Sequence, residues 1–405
     1  MTEERIASFP LGAAATIAEL EQDPHPLLAR LREREPVSWL PALDGWLVTR
    51  RDLALEVMRD PDAFTVDDPR FSTAQVVGAS MLSVDGAEHA RHRDPFARPF
   101  RLDAVRARFA DFVSAEVDRL LDAVEPTGVA ELRRSLAGPL AVAAMVRALG
   151  LDDRDTGAVL GWYDAIVAGV TAITAGLPAE PAAAAAFDRL RTSVEAAFDR
   201  DPDTSLVAAA AADGDGLARG EVVSNAAVLL FGGIETTEGM IANAILHVLT
   251  HPEQREQIER DSALAAAAAV EESLRLEPAA AVIDRYATRN VELGGVGIGE
   301  RELVTISLAG ANRDPAVFAA PDRFDVLRDN TRLHVTFAQG PHVCIGMHLA
   351  RLEAQVALER LFVRLPGVHL DRARPSAPRG LVFRKPPTLW VRWEVESAGR
   401  ATLKA

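Results

Sequence analysis

Residues 337 to 346 read FAQGPHVCIG and contain the only cysteine among 405 residues. A lone thiol closes no intramolecular disulfide and completes no four-cysteine metal site. Left to itself, such a residue packs as a small hydrophobe. The neighbours of Cys344 argue otherwise: Gly340 and Gly346 allow backbone conformations and close approaches that a Cβ resists. The segment that follows, GMHLARLEAQVALERLFVRL, has a helical pattern. A thiolate at a helix N-terminus is favoured by the dipole and by free backbone N–H groups. Thiolates bind soft metals and haem iron. With a single cysteine and no cluster of histidines beside it, zinc is poorly served, whereas haem needs only one axial protein ligand.

A second constellation lies within RGEVVSNAAVLLFGGIETTEGMIANAILHVLT (219–250), an apolar run that stops before Pro252. As one helix it would span about 45 Å. Gly232 and Gly233 fall mid-helix, where glycine is destabilising and some gain must offset it. Small residues there would let a flat cofactor and a small gas molecule lie against the helix. Glu235 and Thr236 follow at once, an acid and a hydroxyl suited to proton transfer. The alternative is a glycine pair that packs helices, with the Thr236 hydroxyl bonded to its own preceding turn.

Around these two sites the chain reads as mostly helix with a minor sheet. PVSWLPALDGWLVTR (36–50) predicts a hairpin turning at Asp44-Gly45. Helical patterns then run from Arg51 to about Leu276. After Pro278 come short alternating segments with glycine-rich turns, and the chain ends in strand-like TLWVRWEV. No linker or internal repeat divides it. Apolar residues make up 48% and charged residues 25%, ample for a core, and the net charge of −15 argues against nucleic-acid binding. The opening MTEERIASFPLG lacks a basic and then apolar leader, and AIVAGVTAITAGL (165–177) is too short to span a bilayer. These features predict a soluble, cytoplasmic protein with no membrane anchor.

Phe337, Gly340, His342, Cys344 and Gly346 together resemble the haem-binding signature of the cytochromes P-450, Phe-x-x-Gly-x-His-x-Cys-x-Gly. Ala338 stands where that family often has glycine. GGIETT resembles the family's oxygen-activating segment, with Glu235 in place of the commoner aspartate. Glu-x-x-Arg occurs at Glu56, Glu88, Glu116, Glu131 and Glu272, and only Glu272 with Arg275 lies in the family's order. By resemblance these two join Arg323 in a buried network that braces the cysteine loop. HARHR resembles the family's His-x-x-x-Arg and suggests His89 and Arg93 as partners of the haem propionates, although HPEQR (251–255) matches the same pattern. Arg285 and His342 align with further propionate partners.

The resemblance covers nearly the whole chain. It implies a mainly α, triangular prism-like single domain over residues 1–405, built on a long central helix and binding haem b. The implied activity is insertion of one oxygen atom of O2 into a small-to-medium hydrophobic substrate. Cys344 would be the iron ligand, with Thr236 and Glu235 catalytic. Gly232, Gly233, Phe337 and Gly346 would contact the cofactor. Family position places Phe71, Val76, Val77, Leu229, Ala281, Val282, Val382 and Phe383 at the substrate pocket. No flavin or iron–sulfur domain is encoded, so electrons would come from a separate ferredoxin and ferredoxin reductase. Six arginines against two aspartates between His89 and Arg108 form a basic patch suited to such an acidic donor. The rival readings are a peroxide-driven peroxygenase and a haem-thiolate sensor without turnover. The acid–threonine pair speaks against both.

Overall fold

The computed structural model describes residues 2–151, 156–174, 178, 181–202, 205–212, 216–260 and 262–395. The weakly polar run at 165–177 is helical as far as Thr174, and its last three residues lie outside the described residues.

The apolar run around Gly232 is one helix, Arg219–Thr250, with the bounds that the pattern sets. Glu221 accepts the N–H of Ala218 at 2.7 Å and so closes the first turn. Most side chains from Val222 to Val248 are buried, so the helix crosses the interior rather than lying on a surface. Gly138–Leu149, Ser262–Leu276 and Met347–Arg364 pack on it. Leu102–Val124 packs on the last of these, and one apolar core joins them all. Among the described residues no helix is long and apolar enough to cross a membrane.

Five strands form a sheet in the order Val37–Leu40, Gly45–Val48, Leu303–Ser307, Val282–Ala287, Phe64–Thr65. All neighbours are antiparallel except Gly45–Val48 with Leu303–Ser307. The Asp44-Gly45 hairpin forms as read, with Asp44 left-handed at φ 48° and Trp39 paired opposite Trp46. A second sheet orders Val129–Glu131, Trp390–Arg392 and His369–Leu370. Two short strands, Phe64–Thr65 and Val129–Glu131, lie within the stretch where helical patterns dominate. Two or three residues carry no readable period, and their partners lie far along the chain.

Candidate active site

The cysteine loop is pinned by its own backbone. Cys344 N–H donates to Phe337 O at 2.8 Å and Val343 N–H to Gly340 O at 3.1 Å. Gly340 is left-handed at φ 75°, and a Cβ there would stand 2.3 Å from Met58 O. Only glycine fits. Cys344 itself has exposed surface. Although that surface is open, the atoms packed around the sulfur raise its thiol pKa, and the N–H groups of Gly346 and Met347 and the charges of Arg93 and Arg351 oppose the rise without cancelling it. The expected helix follows as Met347–Arg364.

Two arginines brace this loop. Arg93 donates to Val343 O at 2.7 Å. Arg351 stacks 4.5 Å over the Phe337 ring and bonds Glu271 at 2.5 Å. Burial alone would raise the Glu271 carboxyl, but His334 and Arg351 outweigh it and hold the group at about 2. Glu271 and Arg351 were not legible as a pair, because each looks like an ordinary helix charge.

Ala338 adopts φ 57°, the left-handed region in which a Cβ is strained. The loop keeps the conformation that glycine would take freely, so the departure at 338 costs stability without changing the fold. Ala338→Gly should therefore stabilise the protein by about 0.5–1 kcal/mol, after allowing for the freer unfolded chain. Thermal unfolding checks this, and a lower Tm would show that the Ala338 methyl contact matters more than the strain.

On the long helix the two glycines have different tasks. A Cβ on Gly233 would lie 2.4 Å from Met145 Sδ, so Gly233 is a helix-packing residue. A Cβ on Gly232 would meet nothing within 4 Å. Of the two glycines expected to open onto a cofactor, only Gly232 has free space beside it, and Gly233 is filled by Met145. Thr236, one turn on and on the same face, is half-buried, and its hydroxyl donates to Gly232 O at 2.6 Å. That bond, like the packing of Gly233 on Met145, is the arrangement of the alternative reading: the hydroxyl proton is engaged by the preceding turn, and the oxygen keeps its lone pairs for accepting. Glu235 is buried and pairs with Lys385 at 2.7 Å.

The fold also gathers basic side chains near the cysteine loop. Arg285 is 6% exposed, and its Nη1 donates only to the neighbouring Asp284 carbonyl, at 2.7 Å. It forms no ion pair among the described residues. Burial lowers its pKa to about 10, opposed by Asp85 and Asp284. The His89 and His342 rings lie 4.3 Å apart, tilted by 47°. His89 Nε2 is buried without a hydrogen-bond partner, and burial with nearby His342 and Arg93 lowers that ring to about 4. His342 bonds Asp85 at 2.7 Å. Burial pushes the Asp85 carboxyl up, but bonds from His342, Thr65 and the Val66 N–H bring it to about 2. Asp85 escaped notice because its contact with His342 joins segments far apart in the chain. An unpaired buried guanidinium and an orphaned imidazole nitrogen fit a cofactor that carries carboxylates. The second His-x-x-x-Arg match lies elsewhere, with Arg255 over Phe362.

Glu272 and Arg275 form a fully buried pair with both bonds at 2.8 Å. The third member is Arg328, whose Nε reaches Glu272 at 3.0 Å. Arg323 is a correction: its side chain is exposed, and it contributes only its carbonyl, to Arg275 at 3.1 Å. The pocket residues divide as well. Val77 and Ala281, each 2% exposed, are packed into apolar clusters, and Ala281 lines only a small apolar cavity beside Leu28 and Leu47. Leu229 is mostly buried, whereas Phe71, Val76, Val282, Val382 and Phe383 keep accessible surface. Phe383 stands edge-on to Phe231 at 5.5 Å. In the basic patch, Arg91 is tied to Glu88 at 2.5 Å and to Glu221 at 2.6 Å, so it is not a free charge as expected. Arg98, Arg101 and Arg106 are exposed.

A thiol at the start of a helix that packs on the long one, beside a buried guanidinium and imidazole without acidic partners, fits a haem-thiolate class of site. Comparison with known proteins carries this to a family. The cytochrome P-450 family model matches residues 189–390. The chain is 35% identical to the cytochrome P-450 monooxygenase PikC of Streptomyces venezuelae, over 94% of each chain. It is 36% identical to nocardicin C N-oxygenase of Nocardia uniformis subsp. tsuyamanensis, over 97% of this chain and all of that one. The crystal structure of CalO2 superposes with a TM-score of 0.85 at 30% identity, covering 93% of this chain and 98% of that one. The chain belongs to the cytochrome P-450 family and is a monooxygenase of that type.

Proposed function

We propose that the protein is a single haem b domain, with Cys344 as the iron ligand, that oxygenates a small-to-medium hydrophobic substrate. Thiolate-bound haem supplies reductive activation of O2. The observation that carries the reading is the placing of the one cysteine: it keeps accessible surface on a loop pinned by its own backbone at the start of Met347–Arg364, and Arg93 braces the residue before it. Beside it, Arg285, His89, His342 and Arg93 would hold the propionates. Gly232 would leave room for the cofactor, and Phe71, Val76, Leu229, Val282, Val382 and Phe383 would offer an apolar wall. Names among the relatives, such as vitamin D(3) 25-hydroxylase and 6-deoxyerythronolide B hydroxylase, support an organic substrate.

Electrons would arrive from a ferredoxin and its reductase. Arg106 lies close enough to His348, in the first turn of the cysteine helix, to perturb it. The exposed Arg98, Arg101 and Arg106 would attract an acidic donor in a chain of net charge −15.

Thr236 would hand protons to the distal side of the cofactor, resupplied through Glu235. The test is Thr236→Ala, which removes a donor but little volume. Product formed per electron consumed should fall about tenfold, with hydrogen peroxide rising and substrate affinity unchanged. A full yield from this variant would place proton delivery elsewhere.

A further inference from the structure

Lys385 and Lys404 are the chain's two lysines; all its other basic side chains, histidines aside, are arginines. Lys404 lies outside the described residues. Lys385 is largely buried, and its ammonium stands 2.7 Å from Glu235 and 2.5 Å from Glu238. These glutamates are three apart on the long helix and therefore neighbours on one face. Glu238 has a second cation, Arg133, at 3.1 Å. Glu235 has no other ion pair among the described residues.

The choice of lysine has a physical consequence. A guanidinium forks onto one carboxylate and stays, whereas a compact ammonium on a flexible stem serves two acids and moves between them. If the ammonium shifts wholly to Glu238, Glu235 is released and no cation is left unpaired. Arg133 also donates to the carbonyls of Pro386 and Pro387, anchoring the chain just past Lys385.

The backbone here ties the lysine to the pocket wall. Isolated bridges join Arg379 to Lys385 and Ala280 to Phe383. Arg384, between the two side chains of interest, binds Glu277 at 2.8 Å. Phe383 and Lys385 reach the long helix instead, Phe383 at Phe231 and Lys385 at Glu235. Phe231 is the residue before Gly232.

We propose that Lys385 is a positioning residue for Glu235, carried on the same turn as Phe383, and that this turn sets whether the Glu235 carboxylate is held or released toward Thr236. The proposal rests on the reading of Glu235 as a proton carrier.

The test compares Lys385→Met, Lys385→Arg, Glu235→Gln and the Lys385→Met/Glu235→Gln double variant in haem-loaded full-length protein. Two quantities are read: product per electron, and the carboxylate infrared band that Glu235→Gln removes. Lys385→Met should lower product per electron at least threefold and shift that band, with the substrate dissociation constant changed less than twofold. Lys385→Arg should recover part of the yield. Because the lysine acts through Glu235, the double variant should match Glu235→Gln alone. This comparison also serves if Lys385→Met by itself fails to fold, since the double variant leaves no unpaired Glu235 charge. An unchanged yield and band in Lys385→Met, or a double variant clearly worse than Glu235→Gln, overturns the proposal. Full yield in Glu235→Gln sinks the proton-carrier reading itself, a result distinct from a silent Lys385→Met beside an impaired Glu235→Gln.

Discussion

A Cys344→Ser protein, reduced under carbon monoxide, should lose the red-shifted Soret band that thiolate ligation produces. Product formation should fall by at least about a hundredfold, since the electron-rich thiolate is what favours O–O cleavage. The chain makes this test unusually clean: with one cysteine in 405 residues, no second thiolate can take over. The loop should survive the change, because its key bond from residue 344 to Phe337 is made by the backbone. What is lost is an anion. Gly346 and Met347 N–H groups and the charges of Arg93 and Arg351 all favour negative charge on the side chain at 344, and a serine hydroxyl does not ionise there. Cys344→His should instead hold haem with the spectrum of an imidazole-ligated iron. A thiolate-type band that persists in Cys344→Ser would overturn the assignment.

What could be read in advance was local and strongly patterned. The hairpin at 36–50 announced itself by alternation and by Asp44-Gly45, and the long helix by an apolar run ended at Pro252. The cysteine loop was legible because its residue types are rare and closely spaced. What stayed hidden depends on helical phase or on distant partners. Gly232 and Gly233 look alike in sequence, yet about 100° of helix rotation sends one into Met145 and the other into open space. Arg323 and Arg328 are both plausible third members of the Glu272 network, and only the path of the chain after Pro321 turns Arg328 inward. Lys385 meets Glu235 from far along the chain, and no spacing rule connects them. Asp85 carries no signal in the sequence, because its contact with His342 joins segments far apart in the chain.

Arg275→Ala should destabilise the protein by about 3–5 kcal/mol, a large part of the roughly 5–15 kcal/mol that holds an ordinary domain. Both partners of the Glu272–Arg275 pair are fully buried. The guanidinium also donates to the carbonyls of Asn312, Pro321 and Arg323, which would all lose that donor at once. Glu272 would keep Arg328, the Asp325 N–H and the Thr331 hydroxyl, but with one cation fewer in a dry site. The effect should reach the cysteine loop. Asn312, whose carbonyl Arg275 holds, bonds the Val335 N–H at 2.7 Å and the Thr336 hydroxyl at 2.8 Å, immediately before Phe337. Haem should therefore dissociate faster from Arg275→Ala, and Arg275→Lys should rescue little, since an ammonium cannot supply the planar fork. The control is the same motif at the surface: Arg119 pairs with Glu116 at 2.6 Å, but its side chain is 64% exposed. Arg119→Ala should cost no more than about 0.5 kcal/mol, because water screens the pair and replaces its bonds. Denaturant unfolding of the two variants decides the matter. Equal losses at Arg119 and Arg275 would mean that burial does not set the value of this pair, and the bracing role of Glu272 and Arg275 would fall with it.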